Sequence, residues 1–405
     1  MKKEPLWTKD FLGVSFISFF LFVVFYILLT TLPIYVLEDL NSSESSVGLV
    51  TGVFLIAAVL CRPFTGKWID VIGRKKILLF AVAIFFISSL LYQLASSVTF
   101  LVILRFLHGI GFGMATTATG AIVADIIPDR RKGEGLGYYA LFMNLAMVIG
   151  PFTGLTIVQF TNFSWLFNLC LIMAIIAFIL SFTVHIPEAS PANNESKNEP
   201  SGFSISSFFE KNAVPIAIVG GILALAYSGV LSFISIYANE LGLIEAASFF
   251  FVVYAAFIIA SRPFTGRWFD MYGENRIVYP AIILFAIGML MLSFATNTFF
   301  FLLAGGLIGL GYGNLSPALQ TIAIQNSDSS KSGLATSTFF TFFDTGIGIG
   351  SYALGVIAVY TSFSNLYLIL AGVVLLAFVA YHFLHGKNVL NVQKQAKQQL
   401  TKNIT

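Results

Sequence analysis

The sequence predicts an all-α polytopic membrane protein, with twelve transmembrane helices in two six-helix pseudo-symmetric bundles. Three observations carry this prediction. The string RPFTGKWID at residues 62–70 returns as RPFTGRWFD at 262–270, and eight of thirteen positions agree between 61–73 and 261–273. The same offset of 200 maps Gly109, Gly111 and Gly113 onto Gly309, Gly311 and Gly313, and Gly150 onto Gly350. Two parallel halves related by an axis along the membrane normal follow from such a repeat. Hydrophobic residues make up 57% of the 405 residues and charged residues 10%, with mean hydropathy +0.88. A soluble chain cannot hide that much apolar surface. Finally, apolar runs long enough to cross a bilayer, about 20 residues each, recur twelve times.

In order, these runs fall at about 11–37, 47–67, 77–96, 99–125, 136–159 and 163–184, then 213–238, 245–267, 277–296, 299–324, 335–360 and 363–385. The chain therefore divides into a first half, 1–184, a linker, 185–212, a second half, 213–386, and a tail, 387–405. The linker contains PEASPANNESKNEPSG, too polar to bury a core. Of the 22 Lys and Arg, 19 fall in the tails or in alternate loops, and only Arg62, Arg105 and Arg262 lie inside spans. The opposite loops hold no base but carry Glu38, Asp39, Glu44, Glu240 and Glu245. Bases accumulate on the cytoplasmic side, so both termini are expected inside, in a multi-pass protein of the cell membrane. The net charge of +3 reflects this topology and gives no case for nucleic-acid binding.

The apolar run after Asp10 is too long for a signal peptide and is followed by no small-residue cleavage site, so it reads as the first span. Cys61 and Cys170 sit in apolar stretches without metal-ligand spacing. They read as packing residues.

The first repeat continues as GKWIDVIGRKK, Gly66 to Lys76. This resembles the signature loop Gly-x-x-x-Asp-x-x-Gly-Arg-Lys of the major facilitator superfamily, and with the repeat and the twelve spans the resemblance covers essentially the whole chain. Gly66 and Gly73, with Gly266 and Gly273 in the second copy, permit a tight turn. Asp70, repeated as Asp270, is expected to latch the cytoplasmic rim by facing a helix N-terminus or a neighbouring Arg in one conformation only. Arg74, Lys75 and Lys76 read equally well as topology signals. The second copy has Glu274 and Asn275 in place of the first two bases, which predicts a stronger latch in the first half.

RFLHGIGFGM, Arg105 to Met114, resembles the family's fourth-helix Arg-x-x-x-Gly motif. The repeat fails here: Arg105 maps onto Gly305 and His108 onto Ile308. An intramembrane charge marks a function by default, so Arg105 is a candidate site residue, the plainer reading being a donor to backbone carbonyls. His108 lies one turn away on the same face, as a packed neutral ring or a proton carrier. Gly137, Gly150, Pro151 and Gly154 resemble the fifth-helix glycine motif of the superfamily's antiporter branches, with Ala146 replacing one glycine. A Gly-Pro step frees a backbone carbonyl and allows close helix approach. The resemblance implies export.

Asp344 is the one acid well inside a predicted span, and its repeat partner is Asn144. A carboxyl at that depth suits the loading and release of a proton. The first span holds no acid between residues 11 and 37, where many multidrug members of the family place one, so coupling is expected at Asp344 instead. Aromatic residues including Phe16, Phe19, Phe20, Tyr26, Tyr138, Phe142, Tyr227 and Phe339 are candidates to line a cavity between the halves, a surface suited to amphiphilic solutes.

The sequence thus reads as a secondary transporter that exports small amphiphilic drugs or metabolites by proton antiport. Arg105 would position substrate or tune Asp344, and Asp70 with Arg74 would latch the gate. The nearest alternative is a narrow exporter of an endogenous metabolite such as a metal chelator or a lipid. An embedded enzyme would need converging ligands that four His, at 108, 185, 382 and 385, with one deep acid do not supply. A sensor would need a signalling domain. Small-molecule substrate, protons and lipid are the expected partners of a monomer with no cofactor and no metal; no Gly-x4-Gly-Lys-Ser/Thr string is present for nucleotide.

Overall fold

The structure, a computed structural model, describes residues 5–42, 44–186, 208–328, 331–387 and 389. Most of the expected linker and tail lie outside these, as do Lys2, Lys3, Lys197, Lys394, Lys397 and Lys402. The chain runs through α1 (Lys9–Ile34), α2 (Glu44–Ile72), α3 (Arg74–Leu91), α4 (Val98–Ile126), α5 (Lys132–Phe160) and α6 (Phe163–Thr183). It continues through α7 (Val214–Glu240), α8 (Ile244–Tyr272), α9 (Asn275–Ser293), α10 (Thr298–Gln325), α11 (Ser332–Tyr360) and α12 (Phe363–Tyr381). Twelve helices among the described residues are long and apolar enough to cross a membrane. The turns α2–α3, α4–α5, α8–α9 and α10–α11 carry the bases and define a basic face; the turns α1–α2, α3–α4, α5–α6, α7–α8, α9–α10 and α11–α12 define the opposite face.

The repeat extends to local chemistry. Ser97 and Asn297 accept hydrogen bonds from the third residue of α4 and α10, and Asn162 and Ser362 do so at α6 and α12. Each satisfies one orphan N–H of a first turn. Gly73 and Gly273 have φ of 104° and 85°, which residues with a Cβ rarely adopt, and these single positions make the sharp α2–α3 and α8–α9 reversals. The expected signature loop is therefore shorter than the sequence suggested. Gly66 and Asp70 lie within α2, and Gly266 and Asp270 within α8, because the helices run on past Pro63 and Pro263 and no positive-φ residue within them precedes Gly73 or Gly273.

Lipid is as apolar as the helices, so packing depends on close contact between backbones. A Cβ at Gly111 would come within 2.8 Å of the Phe85 backbone N, and one at Gly311 within 2.5 Å of the Phe285 backbone N. A methyl at either site would overpack the α3–α4 or α9–α10 contact, at about 1–3 kcal/mol. Two buried apolar clusters result. One draws almost wholly on α1–α6 and the other on α7–α12, with Ile324 and Met147 each lodged in the opposite half's cluster. Between the halves α2 packs against α11 and α5 against α8, and these contacts position the site.

Candidate functional site: an ion pair between the halves

Arg62 lies ten residues before the end of α2, and Asp344 twelve residues after the start of α11. At 1.5 Å per residue both are about 15–18 Å from the basic face, near mid-depth. They meet there: Arg62 Nε and Nη2 each lie 2.7 Å from Asp344 Oδ2. Arg62 Nη1 donates to Thr116 Oγ1 at 3.1 Å and Thr117 Oγ1 at 3.0 Å on α4, and the guanidinium lies 5.0 Å from the Phe340 ring centre. Arg62 is 2% exposed and the Asp344 side chain 20%, so the acid is the member of the pair that solvent reaches. Asp344 Oδ1 takes no hydrogen bond from the described residues.

The expected site is thus differently composed. Asp344 is partnered, but by Arg62, which the sequence reading passed over, and Arg105 is not among its partners. Arg105 lies seven residues into α4, about 10 Å from that helix's opposite-face end. Its Nε donates to the Val50 carbonyl at 3.3 Å, its Nη1 reaches the Tyr92 hydroxyl at 3.5 Å, and its guanidinium sits 4.0 Å over the Phe54 ring. His108 pairs through Nδ1 with the Tyr92 hydroxyl at 3.0 Å and packs against Phe85 and Phe54. Both side chains are fully buried, and every partner belongs to the first half. That arrangement fits a strut within one bundle.

The fifth-helix motif divides its work. A Cβ at Gly150 would come within 2.6 Å of Tyr26 Cβ and one at Gly154 within 3.0 Å of Thr31, so with Pro151 these positions shape the α1–α5 contact. Gly137 instead faces the other half, where a Cβ would come within 3.1 Å of Arg262 Nη1. Arg262, the repeat of Arg62, is 3% exposed, donates through Nη1 to Asn314 Oδ1 at 3.2 Å and through Nη2 to the Gly313 carbonyl at 2.8 Å, and leaves Nε unpartnered. Asn144 is half-buried with no hydrogen bond among the described residues. Beside this layer Tyr227 stacks on Tyr312 at 3.9 Å and donates to Met147 Sδ at 3.5 Å across the halves. Phe339, a candidate lining residue, is fully buried within the second half's cluster.

Toward the basic face the halves are tied at two clusters of contacts, one at the start of α11 and one at the start of α5. Asp70 Oδ2 accepts from the Leu334 N–H at 3.1 Å in the first turn of α11, and Asp270 accepts from the Gly133 and Glu134 N–H groups at 2.8 and 3.0 Å in the first turn of α5. Each carboxylate meets the positive end of a helix dipole. Gly66 sits where a Cβ would come within 2.5 Å of Ser337 Cβ, and Gly266 where one would come within 2.6 Å of Glu134 Cα. Arg74 pairs with Asp125 and donates to Ser332 Oγ at 2.8 Å. Glu134 lies between Arg131 at 2.8 Å and Arg267 at 3.2 Å. Asp270 thus accepts one more N–H than Asp70, so the second-half contact is not the poorer one that the loss of bases suggested. Lys75 contributes nothing across the halves: its Nζ donates to the Ser181, Phe182 and Val184 carbonyls at the end of α6.

Among the described residues, every hydrogen bond between the halves lies at mid-depth or nearer the basic face. Toward the opposite face, α5 and α11 leave Phe152 and Tyr352 more than two-thirds exposed, at repeat-related positions. The halves are closed on the basic side.

A family model for the Major Facilitator Superfamily matches residues 14–279 and again 216–404. An uncharacterised MFS-type transporter of Methanocaldococcus jannaschii, MJ1560, is 24% identical over 336 residues, covering 82% of this chain and 86% of the relative. Quinolone resistance protein NorA of Staphylococcus aureus is 22% identical over 351 residues, covering 86% and 89%. Among solved structures, the human organic anion transporter MFSD10 superposes with TM-score 0.75 at 16% identity, covering 93% of this chain and all of that one. FucP, in an outward conformation, superposes with TM-score 0.75 at 13% identity over 94% and 99%.

Proposed function

As a member of the Major Facilitator Superfamily the chain is a membrane transporter, and we propose that it exports small amphiphilic compounds by proton antiport, with its basic face toward the cytoplasm. The observation that carries this reading is the Arg62–Asp344 pair, which joins α2 to α11 at mid-depth and leaves the acid part-exposed. A proton taken up by Asp344 from the opposite side removes the charge that holds Arg62. The α2–α11 contact is thereby weakened and the basic face opens. There the proton leaves to the cytoplasm, substrate enters, and the re-formed carboxylate draws Arg62 back as the basic face closes. The pair acts as a conditional tie because a buried base without its acid is strongly destabilised. Asp70 and Asp270 add ties that exist only while the basic face is closed. The likeness to NorA, a quinolone resistance protein, supports efflux as the direction and amphiphiles as the cargo.

The test uses everted membrane vesicles with an imposed pH gradient and a panel of cationic, neutral and anionic amphiphiles that includes a quinolone. Gradient dissipation by panel members is expected for the wild type and is expected to vanish in Asp344→Asn. Silence across the panel, or dissipation that survives the substitution, would overturn proton antiport through this residue.

A further inference from the structure

Three bases and one acid occupy the membrane depth well inside the helices: Arg62, Arg105, Arg262 and Asp344. Arg62 is neutralised by Asp344, and Arg105 is sealed inside the first half. Arg262 remains. It sits ten residues before the end of α8, at the depth of Arg62, against Gly137 of α5 where the two halves meet. No acid lies within ion-pair distance of it among the described residues. Its hydrogen-bond partners, Asn314 and the Gly313 carbonyl, are neutral, and its Nε has none. The repeat supplies an acid for Arg62 at position 344 but an amide for Arg262 at position 144.

A buried guanidinium without a counter-ion is costly, and at a contact that opens and closes the missing charge can come from the cargo. The surroundings narrow the cargo further. A Cβ on Gly313, whose carbonyl Arg262 holds, would lie 3.6 Å from the Tyr254 hydroxyl. Tyr254 stacks on Tyr227 and Tyr227 on Tyr312, whose buried hydroxyl has no partner. A cationic fork beside a stack of rings complements a carboxylate on a planar aromatic body.

We propose that Arg262 anchors the carboxylate of an aromatic, anionic amphiphile, which makes such compounds the preferred substrates of the transporter. This deepens the export reading and rests on it. With the basic face closed, α5 covers Arg262; parting of α5 from α8 uncovers it on the side from which an exporter loads.

The test is equilibrium binding, without any gradient, to the full-length chain in phosphatidylcholine nanodiscs, using 2-naphthoate and its neutral isostere 2-naphthamide as probes. The wild type is expected to bind the carboxylate at least about tenfold more tightly, the lower end for a charge-assisted hydrogen bond. Arg262→Gln should remove that preference by weakening the carboxylate's binding far more than naphthamide's. Asn144→Asp, which keeps Arg262 and places an acid at the position that repeats Asp344, should remove the preference as well, and it carries the test if Arg262→Gln fails to fold. Equal binding of the two probes by the wild type, or a preference that survives both substitutions, would overturn the proposal. Vesicle transport that shows no charge preference would refute the anchor and leave export standing; a carboxylate preference in a chain that moves no protons would do the reverse.

Discussion

Arg62 and Asp344 meet where water is scarce, so each is costly without the other. Removing one partner of a buried pair costs about 3–5 kcal/mol, whereas replacing both by apolar groups is often neutral. With the Asp344 side chain 20% exposed, the lower end of that range applies. Asp344→Leu is therefore expected to lower the thermal midpoint of the purified protein, and Arg62→Met added to it should restore most of the loss. A double variant no more stable than Asp344→Leu would mean that the pair is not what makes the acid costly to remove. Asp344 was legible in the sequence because one acid stood alone at depth. Arg62 was equally visible, but its repetition as Arg262 gave no sign that one of the two meets an acid. The discriminating sign was the mismatch one helix away, Asp344 against Asn144, since two identical arginines cannot serve the same role when only one has an acid to meet. Arg105 drew attention by breaking the repeat, yet its partners show that a residue unique to one half can still serve that half's packing.

Helix ends carry ties between the halves on the basic side. Asp70 and Asp270 act across the halves as N-terminal caps for α11 and α5, and loss of a cap costs about 0.5–2 kcal/mol. Either Asp→Ala change should therefore raise the share of molecules open on the basic face by a factor between about 2 and 30. Because Asp270 accepts two backbone N–H groups and Asp70 one, Asp270→Ala should have the larger effect. Spin labels at Lys76 and Arg276, exposed at repeat-related positions of α3 and α9, would report this as a longer component in their distance distribution. An unchanged distribution in both variants would remove the caps from the gate. The element order and the twelve spans were readable from hydropathy, and the α2–α3 and α8–α9 reversals from their glycines. What hydropathy could not give was where α2 and α8 end. Both continue past the apolar stretch to Gly73 and Gly273, because a helix stops at its backbone breaker and not at the edge of its greasy segment.

Two rigid bundles joined along α2–α11 and α5–α8, with α4 and α10 packing beside them, can rock only if closing one face opens the other. Ties between the halves concentrate from mid-depth to the basic face, with glycines at the tightest approaches: a Cβ on Gly66 would lie 2.5 Å from Ser337 Cβ, and one on Gly266 2.6 Å from Glu134 Cα. Added volume at these positions cannot be absorbed by a flexible side chain at Gly266, where backbone is what it meets, and overpacking of this kind costs about 1–3 kcal/mol. Gly66→Val with Gly266→Val should therefore act as a pair of wedges against the closed basic face. If the halves move as bodies, the opposite face must close in response. Labels at Asp39 and Asn239, exposed near the opposite-face ends of α1 and α7, should approach one another in the wedged variant while those at Lys76 and Arg276 separate. Separation on the basic face with no approach at Asp39 and Asn239 would mean that the helices bend locally. In that case the Arg62–Asp344 tie would govern one contact between two helices and not the orientation of the halves.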